Sequence, residues 1–233
     1  MSLITKPASK IPLLVDGDRL TATEFHRRYE AMPEDVRAEL IEGVVYIMSS
    51  PVKFEGHGDE HLRLGWAFKH YTVFTPGVRS GGESTVQLDD YNEPQPDLLM
   101  FIGEESGGQS KITEKGYIEG APELVAEISN SSADYDLNAK FRVYQKCKAK
   151  EYVVWRVEDE EILWFALADD RFVRLAADAN GVYKSPTFPG LWLDAPALLR
   201  DDAKAVLAVL SLGLASPEHA AFVDKLAAAK RPV

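Results

Sequence analysis

The 233-residue chain predicts an α/β fold, a mixed sheet flanked by helices and closed by a C-terminal helical hairpin. Three observations carry this. Short β-rich runs recur through the middle of the chain, amphipathic helical stretches separate several of them, and beyond residue 200 the composition turns Ala- and Leu-rich. With 45% hydrophobic residues the chain can bury a substantial core, and its single cysteine, Cys147, excludes an intrachain disulfide. The expected organisation is a leader over 1–20, a main domain over 21–200 and the hairpin over 201–233.

Each element has a local reason. Thr21-Ala22-Thr23-Glu24 has capping-box spacing and predicts a helix that ends before Pro33. A second short helix is expected over 34–41, leading through Gly43 into the β-rich run 44–48. From 59 to 71, Leu62, Leu64, Trp66, Phe68 and Tyr71 recur mostly at helical spacings, as in a helix covering one face of a sheet. Strands are expected over 84–88, 97–102 and 124–129, with the turn-forming Asp89-Asp90-Tyr91-Asn92 between the first two and a long loop over 103–120. After Ser129, Asn130-Ser131-Ser132 offers helix caps. Leu137, Phe141 and Tyr144 then define an amphipathic helix on which Asp136 and Lys140 share a face. The runs 152–157, 162–167 and 172–176, joined by short acidic turns, read as an antiparallel meander. In the tail, helices over 203–214 and 217–229 meet at Ser216-Pro217, a cap followed by proline at the first helical position.

A formal net charge of -11 argues against a broad non-specific nucleic-acid coat, since phosphate binding draws on clustered Lys and Arg, but it leaves room for a local basic groove. The opening MSLITKPASK lacks the apolar run of a secretory signal, and no segment approaches the roughly 20 apolar residues of a membrane span. A cytoplasmic location is expected.

Chemistry concentrates on two carboxylates. Pro96-Asp97 opens an apolar strand, and Glu127 lies inside Leu124-Val125-Ala126-Glu127-Ile128, a strand apolar on both faces where an unpaired carboxylate is costly to desolvate. Two carboxylates on neighbouring strands can bind Mg²⁺ or Mn²⁺, which polarises a phosphodiester and lowers the pKa of water. Lys140, on the helix after the Glu127 strand, can orient that water and stabilise developing negative charge.

In order and spacing, several segments resemble the Uma-two type of restriction endonuclease within the PD-(D/E)XK nuclease superfamily. They are Leu40-Ile41-Glu42-Gly43, His57, Gln95-Pro96-Asp97-Leu98-Leu99, Thr113-Glu114-Lys115-Gly116, the run from Gly120 to Ser129, Asp136, Lys140, Tyr144 and Glu151-Tyr152-Val153-Val154-Trp155. The resemblance covers about 40–193. It implies a restriction-endonuclease-like core, with Asp97 and Glu127 as metal ligands and the Ile128 carbonyl as a further one. The superfamily tripeptide would be Glu127-Ile128-Ser129, which lacks its lysine; the resemblance points to Lys140 from the following helix as the substitute. Glu42 matches an early acidic residue of the family and His57 a family histidine, both peripheral to the catalytic trio.

Plainer readings stand beside these. Asp97 can cap a turn, Glu127 can form a salt bridge with Lys140, and Lys140 can belong to a solvated basic face with Arg142, Lys146, Lys148 and Lys150, a run that reads alternatively as a phosphate-tracking patch. His57 and His61 have metal-ligand spacing without the glutamate of an H-E-x-x-H motif, and Ser129 to Ser132 lack a nucleophile elbow. Trp155, Trp164 and Phe165 read as core or dimer contacts. The leading expectation is a homodimeric Mg²⁺- or Mn²⁺-dependent endonuclease acting on DNA. The alternatives are a non-catalytic nuclease-fold module for nucleic-acid binding or assembly and, more remotely, a carboxylate-pair glycosidase, for which nothing else in the chain speaks.

Overall fold

The computed structural model describes residues 11–48, 54–129 and 136–230. Helix α1 (Ala22–Tyr29) begins at the expected cap, where the Thr21 hydroxyl accepts from the Glu24 N–H at 3.4 Å. The box is not reciprocal, because the Glu24 carboxylate turns to Arg27 and Arg28. The expected helix over 34–41 is a strand. β1 (Arg37–Ile41) pairs antiparallel with β2 (Val44–Met48) across a two-residue turn. Glu42 (φ 51°) and Gly43 (φ 76°) are both left-handed there, as a type I′ hairpin requires. Eight residues make a marginal helix, whereas the hairpin buries 38–41, with Ala38, Leu40 and Val45 packing on Leu14 and Phe25. Residues 15–20, read as leader, lie against the same hairpin: Gly17 N–H donates to Val45, Val45 N–H to Asp18 and Leu20 N–H to Gly43.

The main sheet has six strands in the order β11 (Arg171–Arg174), β10 (Glu161–Ala168), β9 (Glu151–Arg156), β8 (Leu124–Ser129), β5 (Leu98–Ile102) and β3 (Val78–Gly82). Only β8 and β9 run parallel, and the connection between them carries an irregular turn (Asp136–Lys140) and helix α3 (Phe141–Lys146). The capping role expected of 130–132 lies outside the described residues. β9, β10 and β11 form the expected meander. The strand expected over 84–88 is only β4 (Val86–Gln87), which joins β6 (Lys111–Ile112) and β7 (Ile118–Glu119) in a small sheet that gives structure to the 103–120 loop.

Strand alternation divides the core. Leu98, Met100, Leu124, Ala126, Ile128, Val153 and Trp155 face a layer that includes helix α2 (Asp59–Val73) and the tail. Leu99, Phe101, Val125, Tyr152, Val154 and Leu163 face the side of α3, with Tyr144 and Phe141. A short pair, β12 (Val182–Lys184) and β13 (Trp192–Asp194), leads into α4 (Ala195–Leu199), α5 (Ala203–Leu214) and α6 (Pro217–Ala229). The helical pair at the end is an elbow bent by 63°, since only Ala215 and Ser216 separate its arms. Val206, Leu210, Phe222 and Leu226 bury it in the main core. Among the described residues no single helix is long and apolar enough to cross a membrane.

Candidate functional site

The register of β5 on β8 pairs Leu98 with Ala126, so one further step along the ladder sets Asp97 across from Glu127. Asp97 sits at the bend that follows Pro96, and its Oδ2 accepts the Ile128 N–H at 2.6 Å. Two histidines close on it, His57 from the turn before α2 and His61 from the first turn of α2. His61 Nε2 donates to the Asp97 carbonyl at 2.8 Å, while His57 places Nδ1 3.2 Å from the Ile128 carbonyl oxygen and Nε2 3.5 Å from Asp97 Oδ1. One imidazole therefore reaches both oxygens, and the two rings stack with centroids 5.9 Å apart.

Glu127 is 3% exposed and its carboxylate is met from two sides. Lys140 Nζ and the Tyr144 hydroxyl both donate to Oε1 at 3.0 Å. They lie four residues apart, so one helical face presents both. The same ammonium is 3.0 Å from Glu39 Oε1, which also accepts the Gln95 N–H at 2.6 Å. Glu39 is 1% and Lys140 5% exposed, so these charges face one another out of water. Burial, reinforced by the negative charges of Glu127 and Glu39, pushes the Tyr144 phenol well above its ordinary range and keeps it a donor.

Glu127 and Lys140 are thus in direct contact, Asp97 is one hydrogen bond away through Ile128, and His57 touches Asp97. Glu42 is elsewhere: from the β1–β2 turn it forms a two-point ion pair with Arg142, at 2.9 and 3.2 Å, on the exposed side of α3. The acid that this hairpin delivers to the cluster is Glu39, three residues earlier. It carries the signal that marks Glu127, a carboxylate inside an apolar run, and reading 34–41 as a helix hid it. Tyr144, read only as part of an amphipathic face, is the other addition. The basic run is compensated rather than open, with Lys146 paired to Asp89 at 3.0 Å and Lys148 to Asp170 at 2.7 Å. Trp155 and Trp164 are core residues.

The donor set suits a hard divalent cation: carboxylate oxygens of Asp97 and Glu127 with the Ile128 carbonyl. Asp97 Oδ2 and Glu127 Oε1 already accept from protein donors. Among the described residues no three His, Cys, Asp or Glu side chains form a ready cage, so backbone and water oxygens have to complete the shell. Two cavities lie elsewhere. One of about 350 Å³ is walled by Leu62, Trp66, Leu198 and Val206, and one of about 500 Å³ by Glu42, Tyr91 and Arg142. Neither is lined by Asp97 or Glu127, and the carboxylate chemistry rather than cavity size marks the site.

The solved structure described as "a putative nuclease belonging to DUF820" from Anabaena variabilis is similar over 75% of this chain and 96% of that one, with a TM-score of 0.57 and 16% identity. At that identity the likeness establishes the fold. No curated protein matches. The Uma2 family, described as "Putative restriction endonuclease", matches residues 22–196, which hold Glu39, Asp97, Glu127, Lys140 and Tyr144. That span is most of the chain and supports a nuclease function; the chain belongs to the Uma2 family of restriction-endonuclease-like proteins.

Proposed function

We propose that the chain is a divalent-metal-dependent endonuclease that hydrolyses phosphodiester bonds in DNA, with Asp97 and Glu127 as metal ligands and Lys140 as the catalytic cation. One observation carries the reading. A buried carboxylate, Glu127, lies on β8, and the Asp97 carboxylate, just before the neighbouring strand β5, accepts the N–H of the next residue, Ile128, while His57 reaches both Asp97 and the Ile128 carbonyl. When bound, Mg²⁺ or Mn²⁺ supplies Lewis acidity at the phosphodiester and acidifies water there. Lys140, held by Glu127 and Glu39, presents a fixed positive charge toward the developing negative charge of the phosphorane. Tyr144 holds Glu127 in place, while His57 and His61 set the angle of Asp97. Two copies, each with one site, would cut both strands of a duplex.

A non-catalytic nuclease-fold module is the second reading. It is favoured by the absence, among the described residues, of a three-side-chain metal cage and by the acid-paired state of Arg142, Lys146 and Lys148. Supercoiled and linear DNA incubated with the protein in Mg²⁺, Mn²⁺ or EDTA separates the two. Nicking that needs the metal and disappears in Asp97→Ala and Glu127→Ala supports the nuclease. Cleavage absent with every metal, or equal in both variants, removes it.

A further inference from the structure

We infer that the Lys140 ammonium is a built-in cation filling the space between Glu39 and Glu127, so that the centre takes one divalent ion per chain, on the Asp97 side, with Glu39 a positioning residue and not a ligand. This rests on the nuclease reading. The ammonium lies 3.0 Å from one oxygen of each carboxylate. An ion bridging those two carboxylates would sit about 2.0–2.6 Å from both, in the place the nitrogen holds. The nitrogen cannot readily withdraw, because its side chain is buried and follows the backbone that starts α3. Both oxygens are also set toward protein donors: Glu39 Oε1 accepts from the Gln95 N–H and Glu127 Oε1 from the Tyr144 hydroxyl.

The oxygens that would hold the divalent ion are Asp97 Oδ1 and the Ile128 carbonyl, which the His57 imidazole contacts at 3.5 and 3.2 Å and would yield on binding.

Titration of the full chain with Mn²⁺, followed by EPR of the free ion and by calorimetry, tests the inference without reference to cleavage. One ion per chain is expected. E39Q keeps that ion with affinity lowered by about 10–100-fold, as for a partner outside the coordination shell, whereas D97A abolishes binding. K140M opens the space between the two glutamates and takes a second ion. Two ions per chain in the unaltered protein, E39Q as silent as D97A, or K140M holding at one would each overturn the inference. If K140M does not fold, the unaltered chain and E39Q still decide. Two ions per chain would leave the nuclease reading standing, whereas an unaltered chain that binds none removes the metal site on which both depend.

Discussion

Replacing Lys140 with methionine keeps most of the side-chain volume and removes an ammonium that Glu39 and Glu127 share. Both carboxylates are almost fully buried, at 1% and 3% exposure, so water does not screen what is lost. Removing one member of a buried ion pair costs about 3–5 kcal/mol, because the partner is left as an uncompensated charge. With two such contacts broken at once, the upper half of that range, about 4–5 kcal/mol, applies. For 233 residues at about 2.1 cal/mol/K each, the entropy of unfolding is roughly 0.5 kcal/mol/K, so Tm should fall by about 8–10 °C. Thermal melts by circular dichroism in EDTA at neutral pH read this directly. The double variant Glu39→Gln/Lys140→Met should recover part of the loss, since one buried charge goes with its partner. A drop of less than about 2 °C for Lys140→Met, or no recovery in the double variant, would mean that the ammonium is not the clamp described here.

Tyr144→Phe removes a hydrogen bond to a charged acceptor and should lower stability by about 1.5–3 kcal/mol in urea unfolding, with slower cleavage but unchanged secondary structure. Glu151 is fully buried, accepts from Trp164, Ser185 and Thr187, and is raised above its ordinary value by burial. An acid with a raised folded pKa binds protons more readily folded than unfolded. Its contribution therefore declines as pH climbs from the ordinary glutamate range through the raised value, and returns as pH falls. The stability difference between the unaltered chain and Glu151→Gln should widen between pH 7 and 5; a constant or shrinking gap contradicts the assignment. A Cβ on Gly213 would come 2.3 Å from the Gly190 carbonyl oxygen, a backbone atom with nowhere to go. Gly213→Ala should cost about 1–3 kcal/mol or more and expose the α5–α6 elbow to limited proteolysis.

The fold was readable wherever periodicity was strong. The apolar run around Glu127, the meander and the tail helices stand close to where their patterns put them. Three misreadings share a cause, which is that pairing across the chain overrode local signals. Residues 37–41 are a strand because the Glu42-Gly43 turn folds them onto 44–48, and β3 leaves no local signal because Arg79-Ser80-Gly81-Gly82 is a polar, glycine-rich edge with no apolar alternation. The 103–120 loop acquired strands through pairing with Val86 and Gln87, too short to leave a pattern. At the site, the need of Glu127 for a partner followed from burial alone. That Lys140 is the partner followed from its place on the next helix. Glu39 could not be placed until the hairpin was known, since a register shift of one residue would have turned it to the opposite face. Asp97 was legible as a strand opening, but its bond to the Ile128 N–H depends on β5–β8 pairing that no local pattern encodes.

Asp97 and Glu127 serve one metal-dependent site if they act on cleavage as a unit. Single-turnover cleavage of a DNA duplex in Mg²⁺ by the unaltered chain, Asp97→Ala, Glu127→Ala and the double variant measures it. Residues that act as a unit are strongly non-additive: each single change should lower the rate by at least about 10²-fold, and the double variant should lose little more than the worse single one. Losses that multiply in the double variant, or a Mg²⁺-dependent rate that survives both changes, would contradict a shared site.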